Sequence, residues 1–318
     1  MKKYLFLVVF YLLILSCDNK SKVKKAVTAI PLELKVTRFD KIFFETPPQD
    51  LGNVKKEFPY FFPKGIDDSV WFNKMQDPLW RELYTEVQKK YANFDPVKVE
   101  LEKLFKHIKY YFPETKTPKV ITIISEMDYR NKAIYADSLA VISLELYLGK
   151  NHKFYQFPNY LKQNFEQRQI APDLVTSFAE RRIQPVVEKD LLSQMVYQGK
   201  VLYLKDVLLP DYSDADKIGY SVQQIKWCQE NESYMWRYFI EKEMLYSNDQ
   251  KLVARFINPA PFSKFYLEID NESPGQVGAW IGWQMVRSYI NNNDVPLAAL
   301  LKTNAKELFV KSKYKPKK

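Results

Sequence analysis

An α+β fold follows from three features of the sequence. Short runs rich in β-branched residues fall before residue 147, apolar residues at helical spacing dominate after residue 158, and no self-similarity recurs at a solenoid period. The expectation is a small mixed or antiparallel sheet with a mostly helical C-terminal half.

The N-terminus sets the address. Lys2 and Lys3 precede an almost wholly apolar run, 4–15, closed by Ile14-Leu15-Ser16-Cys17. A helix that crosses a hydrocarbon core needs about 20 residues, so this run reads as a processing signal. Ile-Leu-Ser-Cys resembles the lipobox, whose Cys thiol takes a diacylglycerol before the chain is cut ahead of it; a further acyl chain such as palmitate often joins the new amino group. Residues 1–16 are therefore expected to be a lipoprotein signal peptide and Cys17 the lipidation site. Residues 17–31 carry few large apolar side chains and read as a flexible, lipid-anchored linker. A single domain is expected over 32–311, and the Lys-rich 312–318 reads as a solvated tail.

Within the domain, Leu32, Leu34 and Val36 alternate with Glu33, Lys35 and Thr37, the period of a half-exposed strand. Asp95-Pro96 places proline at a first helical position, and Val97, Leu101, Leu104, Phe105, Ile108 and Phe112 follow as one apolar stripe. Further strands are expected over 119–124, 132–136 and 139–146, the last two joined at Asp137-Ser138 as a hairpin. Helices are expected over 172–183, 189–208 (stopped by Pro210), 221–246 and 274–291. Ser273 with Gln276 resembles a cap for the last of these, and Pro274 fits its first position. Gly278 and Gly282 then lie on one helix face, each costing about 1 kcal/mol relative to Ala. Something must approach that face closely. With Trp280 and Trp283 beside them, these glycines mark either internal packing or a partner's docking face.

The formal charge of +10, about +8 once Lys2 and Lys3 leave, favours anionic surfaces. Export rules out nucleic acid as the partner of that charge. Cys228 is left without a disulfide partner and reads as a small buried hydrophobe. His107 and His152 are the only histidines, no H-E-x-x-H or G-x-S-x-G occurs, and Gly149-Lys150 and Gly199-Lys200 lack a phosphate loop's spacing. No cofactor is expected. Glu268, Asp270 and Glu272 fall on one face of a possible strand and keep a carboxylate-based hydrolase open. Trp227, Tyr234, Trp236, Tyr238 and Phe239 keep a glycan-binding platform open, although rings at that spacing are more often core.

Three segments carry a resemblance: the lipobox; Leu191-Leu192-Ser193-Gln194-Met195-Val196-Tyr197-Gln198-Gly199-Lys200, continuing to Asp206 and Leu209-Pro210-Asp211; and Glu272-Ser273-Pro274-Gly275-Gln276-Val277-Gly278-Ala279-Trp280-Ile281-Gly282-Trp283. Together they resemble the gliding motility lipoprotein GldB family over nearly the whole chain. The resemblance implies a cell-envelope lipoprotein needed for gliding, with other gliding-apparatus envelope proteins as partners; Asp18-Asn19-Lys20 lacks the dense acidic run that resembles a surface-export signal in related lipoproteins, so attachment facing the periplasm is expected. Chains of this kind are also similar in outline to gluzincin peptidases. Here the helix near Asp173 carries no His, and Gln198 stands where a third-ligand Glu is expected, so the resemblance implies a gluzincin-like scaffold without its zinc site: a non-catalytic pseudo-enzyme.

Overall fold

The computed structural model describes residues 21–268 and 270–317; the expected signal peptide and Cys17 lie outside them. Helix α1 (21–28) and strand β1 (Val36–Arg38) come first. Then follow α2 (Phe39–Glu45), α3 (Leu51–Glu57), α4 (Asp68–Gln76), α5 (Pro78–Lys90) and α6 (Asp95–Tyr111). The expected α6 stripe is buried from Val97 to Ile108.

Strands β2 (Lys119–Ile123), β3 (Ala133–Ala136) and β4 (Leu139–Ser143) complete a four-stranded sheet in the order β1-β2-β4-β3. The first three of that order are parallel, and β3 pairs antiparallel with β4 at one edge. The hairpin turns at Asp137, whose φ of 52° suits a tight connection. The mixed alternative is thus the observed one. Helices α7 (Asn159–Lys162), α8 (Ile170–Glu180), α9 (Leu191–Leu208), α10 (Asp214–Ile218), α11 (Val222–Glu230), α12 (Glu232–Glu241), α13 (Gln250–Phe256), α14 (Val277–Asn292), α15 (Leu297–Lys302) and α16 (Ala305–Ser312) make up the C-terminal half.

Two hydrophobic clusters share α9 as a common wall. Val201, Leu204 and Leu208 face the sheet and the N-terminal helices, while Leu191, Leu192, Met195, Val196 and Leu202 face the later helices. A helix apolar nearly all round is what burial on both sides requires.

Several expectations need correction. The stretch read as a flexible tether is helical over 21–28 and buries Val27; its lysines and alanines are good helix formers, and neither Gly nor Pro interrupts them. The alternation at Leu32 and Leu34 marks an extended approach, not a paired strand: Leu34 is buried, but its N–H bonds the Glu102 side chain, and pairing begins at Val36. The helix expected over 221–246 breaks at Asn231 into α11 and α12. Helix α14 starts at Val277, with Gln276 at φ 63°; Ser273 does not cap it but donates to the carbonyls of Asp270 and Ser263. Gly275 explains the late start, because its backbone lies so close to Ala260 that a Cβ would fall 2.2 Å from that carbonyl oxygen. The Lys-rich tail is docked as far as Lys317: the Tyr314 hydroxyl donates to Glu232 Oε1 at 2.7 Å and its ring packs on Trp236.

Candidate functional site

The glycine face predicted on α14 is internal. A Cβ on Gly282 would fall 1.8 Å from the Met195 carbonyl oxygen of α9, and one on Gly199 would fall 2.3 Å from the Gly282 carbonyl oxygen. Gly278 is pressed in the same way against Phe256 of α13. Trp280 and Trp283 are buried beside them. An ionic cluster closes the side of the crossing. Asp206 accepts from Trp283 Nε1 at 2.8 Å and from both Nε and a terminal nitrogen of Arg287, and Lys217 Nζ lies 3.0 Å away. Arg287 also pairs with Asp214 and lies 3.8 Å over the Trp283 ring. These paired carboxylates and hydrogen bonds hold the guanidinium above its ordinary range. The segments that carry the family resemblance thus build the packing centre of the helical half.

The three suspected carboxylates do not converge. Residues Asp270–Glu272 form a short 3-10 turn, and Asp270 accepts from the N–H groups of Phe265, Tyr266 and Leu267, a loop-capping task. Glu268 and Glu272 are exposed. The suspected aromatic platform holds only in part: Phe239 is core and Trp236 packs against Phe309 and Tyr314, while Trp227, Tyr234 and Tyr238 line one small apolar pocket of about 40 Å³. His107 contacts the Lys103 carbonyl and His152 the Glu86 carboxylate, so the two serve separate elements. Cys228 is buried, and burial pushes its thiol up. Among the described residues no three His, Cys, Asp or Glu side chains gather as a metal ligand set.

What does form a site is a polar groove along the free edge of β3. One part, of about 280 Å³, runs between β3 and α8; a second, of about 350 Å³, continues to the loops at Asn164, Gly219 and Gly275. Tyr129, Arg130 and Lys132 line both. At its centre Lys132 Nζ lies 2.7 Å from Asp173 Oδ2, to which the Tyr147 hydroxyl also donates at 2.8 Å. The Lys132 ammonium sits over the rings of Tyr147 and Phe165. Burial and the Asp173 charge push the Tyr147 phenol well above its usual range, so it stays a donor. Behind it Lys205 is fully enclosed, donates to the Lys217 carbonyl and is lowered to about 8 by desolvation. Gln198, on α9, is not among the hydrogen-bond partners of Asp173.

Sequence reasoning singled out Asp173 only as the place of a missing His and passed over Lys132 and Tyr147. The three come from α8, the residue before β3 and the loop after the 3-10 turn (Leu144–Leu146) that follows β4, and no local spacing announces their meeting. The structure ties α8 to this edge through Ser177 and Arg181, the residue that ends the helix, both of which bond the β3 backbone at Tyr135.

A family model described as gliding motility protein GldB matches residues 20–316. The chain belongs to the GldB family. It is therefore a gliding motility protein, and the resemblance read from its motifs is the family found. No curated protein and no solved structure matches it. No helix among the described residues is long and apolar enough to cross a membrane.

Proposed function

We propose that this GldB-family chain is a lipid-anchored, non-catalytic scaffold of the gliding apparatus, held in the cell envelope facing the periplasm through Cys17. The observation that carries the reading is the state of the groove centre. Its half-buried carboxylate, Asp173, is bound by Lys132 and Tyr147, and the other carboxylate of the lining, Glu180, lies exposed at the surface, so no enclosed free base faces the opening, while the opening itself remains. A scaffold needs such a surface and no reactive group behind it. A gluzincin-like scaffold that has lost its zinc site would fit the reading, because a groove beside a sheet edge persists without catalytic side chains. The lipobox supplies the anchor.

Crosslinking intact cells and purifying the chain from membranes should recover other envelope proteins of the apparatus; recovery of the chain alone, with the motor preserved, would sink the scaffold role. Cys17→Ala should abolish lipid labelling, move the chain out of the membrane fraction and stop gliding. Unchanged labelling would mean that another residue carries the lipid.

A further inference from the structure

We propose that the β3 groove takes an extended, acidic segment of a partner polypeptide, which joins the sheet as a short added strand at Ala133; this rests on the scaffold reading above.

The backbone alternation of the hairpin sets the geometry. Ser143 N–H donates to the Lys132 carbonyl, so Lys132, Ile134 and Ala136 turn their backbone groups toward β4. Ala133 and Tyr135 turn theirs to the free edge. At Tyr135 both groups are engaged from α8: its N–H donates to Ser177 Oγ at 3.0 Å, and its carbonyl accepts from Arg181 Nε at 3.0 Å. At Ala133 neither group has a partner among the described residues, although the residue is only 7% exposed. A shielded, unpaired backbone donor and acceptor side by side are costly, and a strand laid along the groove satisfies both at once. The capped position at Tyr135 confines that strand to one register and blocks open-ended edge pairing.

Most amides of the wider part are turned to the protein itself. Three of the four side-chain amides in the wider part are engaged internally: Gln163 donates to the Gly219 carbonyl, Gln276 donates to the Ile257 carbonyl and Gln224 accepts from Ser221 N–H. The Asn164 amide and the hydroxyls of Tyr129 and Tyr160 have no partner there among the described residues, and in the narrower part the backbone pair of Ala133 is open beside the exposed Glu180 carboxylate.

Charge selects the segment. Lys132 is neutralised by Asp173, Arg181 is paired with Asp137, and Glu180 leaves one exposed negative charge at the α8 end of the narrower part, so an acidic side chain is placed toward the wider part. Arg130 forms no ion pair, rests at 5.8 Å over the Tyr129 ring, and lines both parts of the groove. The wider part has no carboxylate in its lining. An acidic side chain near the pairing residue of the partner segment meets that guanidinium.

The test uses the full-length chain in detergent and labelled synthetic eight-residue peptides of one strand-forming sequence, carrying Asp and Glu, their amides, or Lys at the same positions, each also in an alternately N-methylated form. Acidic peptides should bind. N-methylation on the pairing edge, which removes the donors without touching the protein, should weaken binding by about tenfold or more, and Arg130→Glu should do the same for acidic peptides only. Ala133→Pro, which removes an N–H not used in the β4 ladder, should match the methylation effect. Equal binding of acidic, neutral and basic peptides overturns the charge assignment. Indifference to methylation, or no peptide binding at all, overturns strand addition. Binding of soluble cell-wall glycan fragments that is lost in Arg130→Glu overturns the peptide in favour of a glycan. Each of these failures leaves the membrane co-purification result standing separately.

Discussion

The α9–α14 crossing and the β3 groove are opposite solutions to the same problem, where a backbone goes when side chains do not cover it. At the crossing two helices meet through Gly199 and Gly282 with their backbones in contact and the Asp206, Arg287 and Trp283 side chains paired at the rim. At the groove a strand edge ends against α8 with one residue capped and its neighbour left unpaired. The first arrangement tolerates no added atom; the second has room for a chain. Rigidity in one region and vacancy in the other suit a molecule that must hold its shape while presenting an edge.

The largest effect should come from filling the crossing. Gly282→Ala places a methyl 1.8 Å from the Met195 carbonyl oxygen, so the helices must separate; a loss of about 4 kcal/mol or more is expected, read from the denaturant midpoint. A near-neutral result would mean that the two helices are not in backbone contact. Next, Asp206→Ala strips the partner from Arg287, Lys217 and the Trp283 indole together, and should cost about 3 kcal/mol, since removing one member leaves the others charged and half-enclosed.

The sheet half has its own weak point away from the groove. Glu145 is fully buried in the 3-10 turn that follows β4; Ser125 donates to one of its carboxylate oxygens through both N–H and hydroxyl, while the other oxygen has no partner. Desolvation raises its pKa from an ordinary 4.5 to about 7. Between those values the folded chain holds a proton that the unfolded chain has released, so stability falls as pH rises from about 4.5 to about 7. The fall should reach about 3 kcal/mol at most and be flat on either side. Thermal melts across that range should show it, and Glu145→Gln should flatten it; a wild-type profile without the slope would place the carboxylate in better-solvated surroundings. The smallest effect is a control on the glycine comparison. Gly52, inside α3, has nothing within 4 Å of an added Cβ, so Gly52→Ala should raise stability by about 0.5–1 kcal/mol in the same denaturant assay. Destabilisation there would show that helix glycines in this chain matter for reasons other than close approach.

Much of the fold was legible because its signals are local. The α6 stripe, the β3–β4 hairpin at Asp137-Ser138 and the extent of α9 depend on residues a few positions apart. The start of α14 was misread because Ser273, Pro274 and Gln276 satisfy a capping pattern whose partners are then taken by the loop at Ser263 and Ile257. The carboxylate cluster was misread for a similar reason: alternation suggested a strand, but Asp270 finds three loop N–H groups nearer than any facing carboxylate.

By itself the sequence determined the fold class, most of the helices and strands, and the GldB family, since periodicity and motif are properties of neighbouring residues. Only the tertiary structure decided that Gly278 and Gly282 face α13 and α9 instead of a partner, that Asp173 meets Lys132 and Tyr147, and that Ala133 is left open. Each depends on which surfaces are brought together when α8 and α9 close on the sheet, and burial and backbone pairing between distant segments leave no period in the chain.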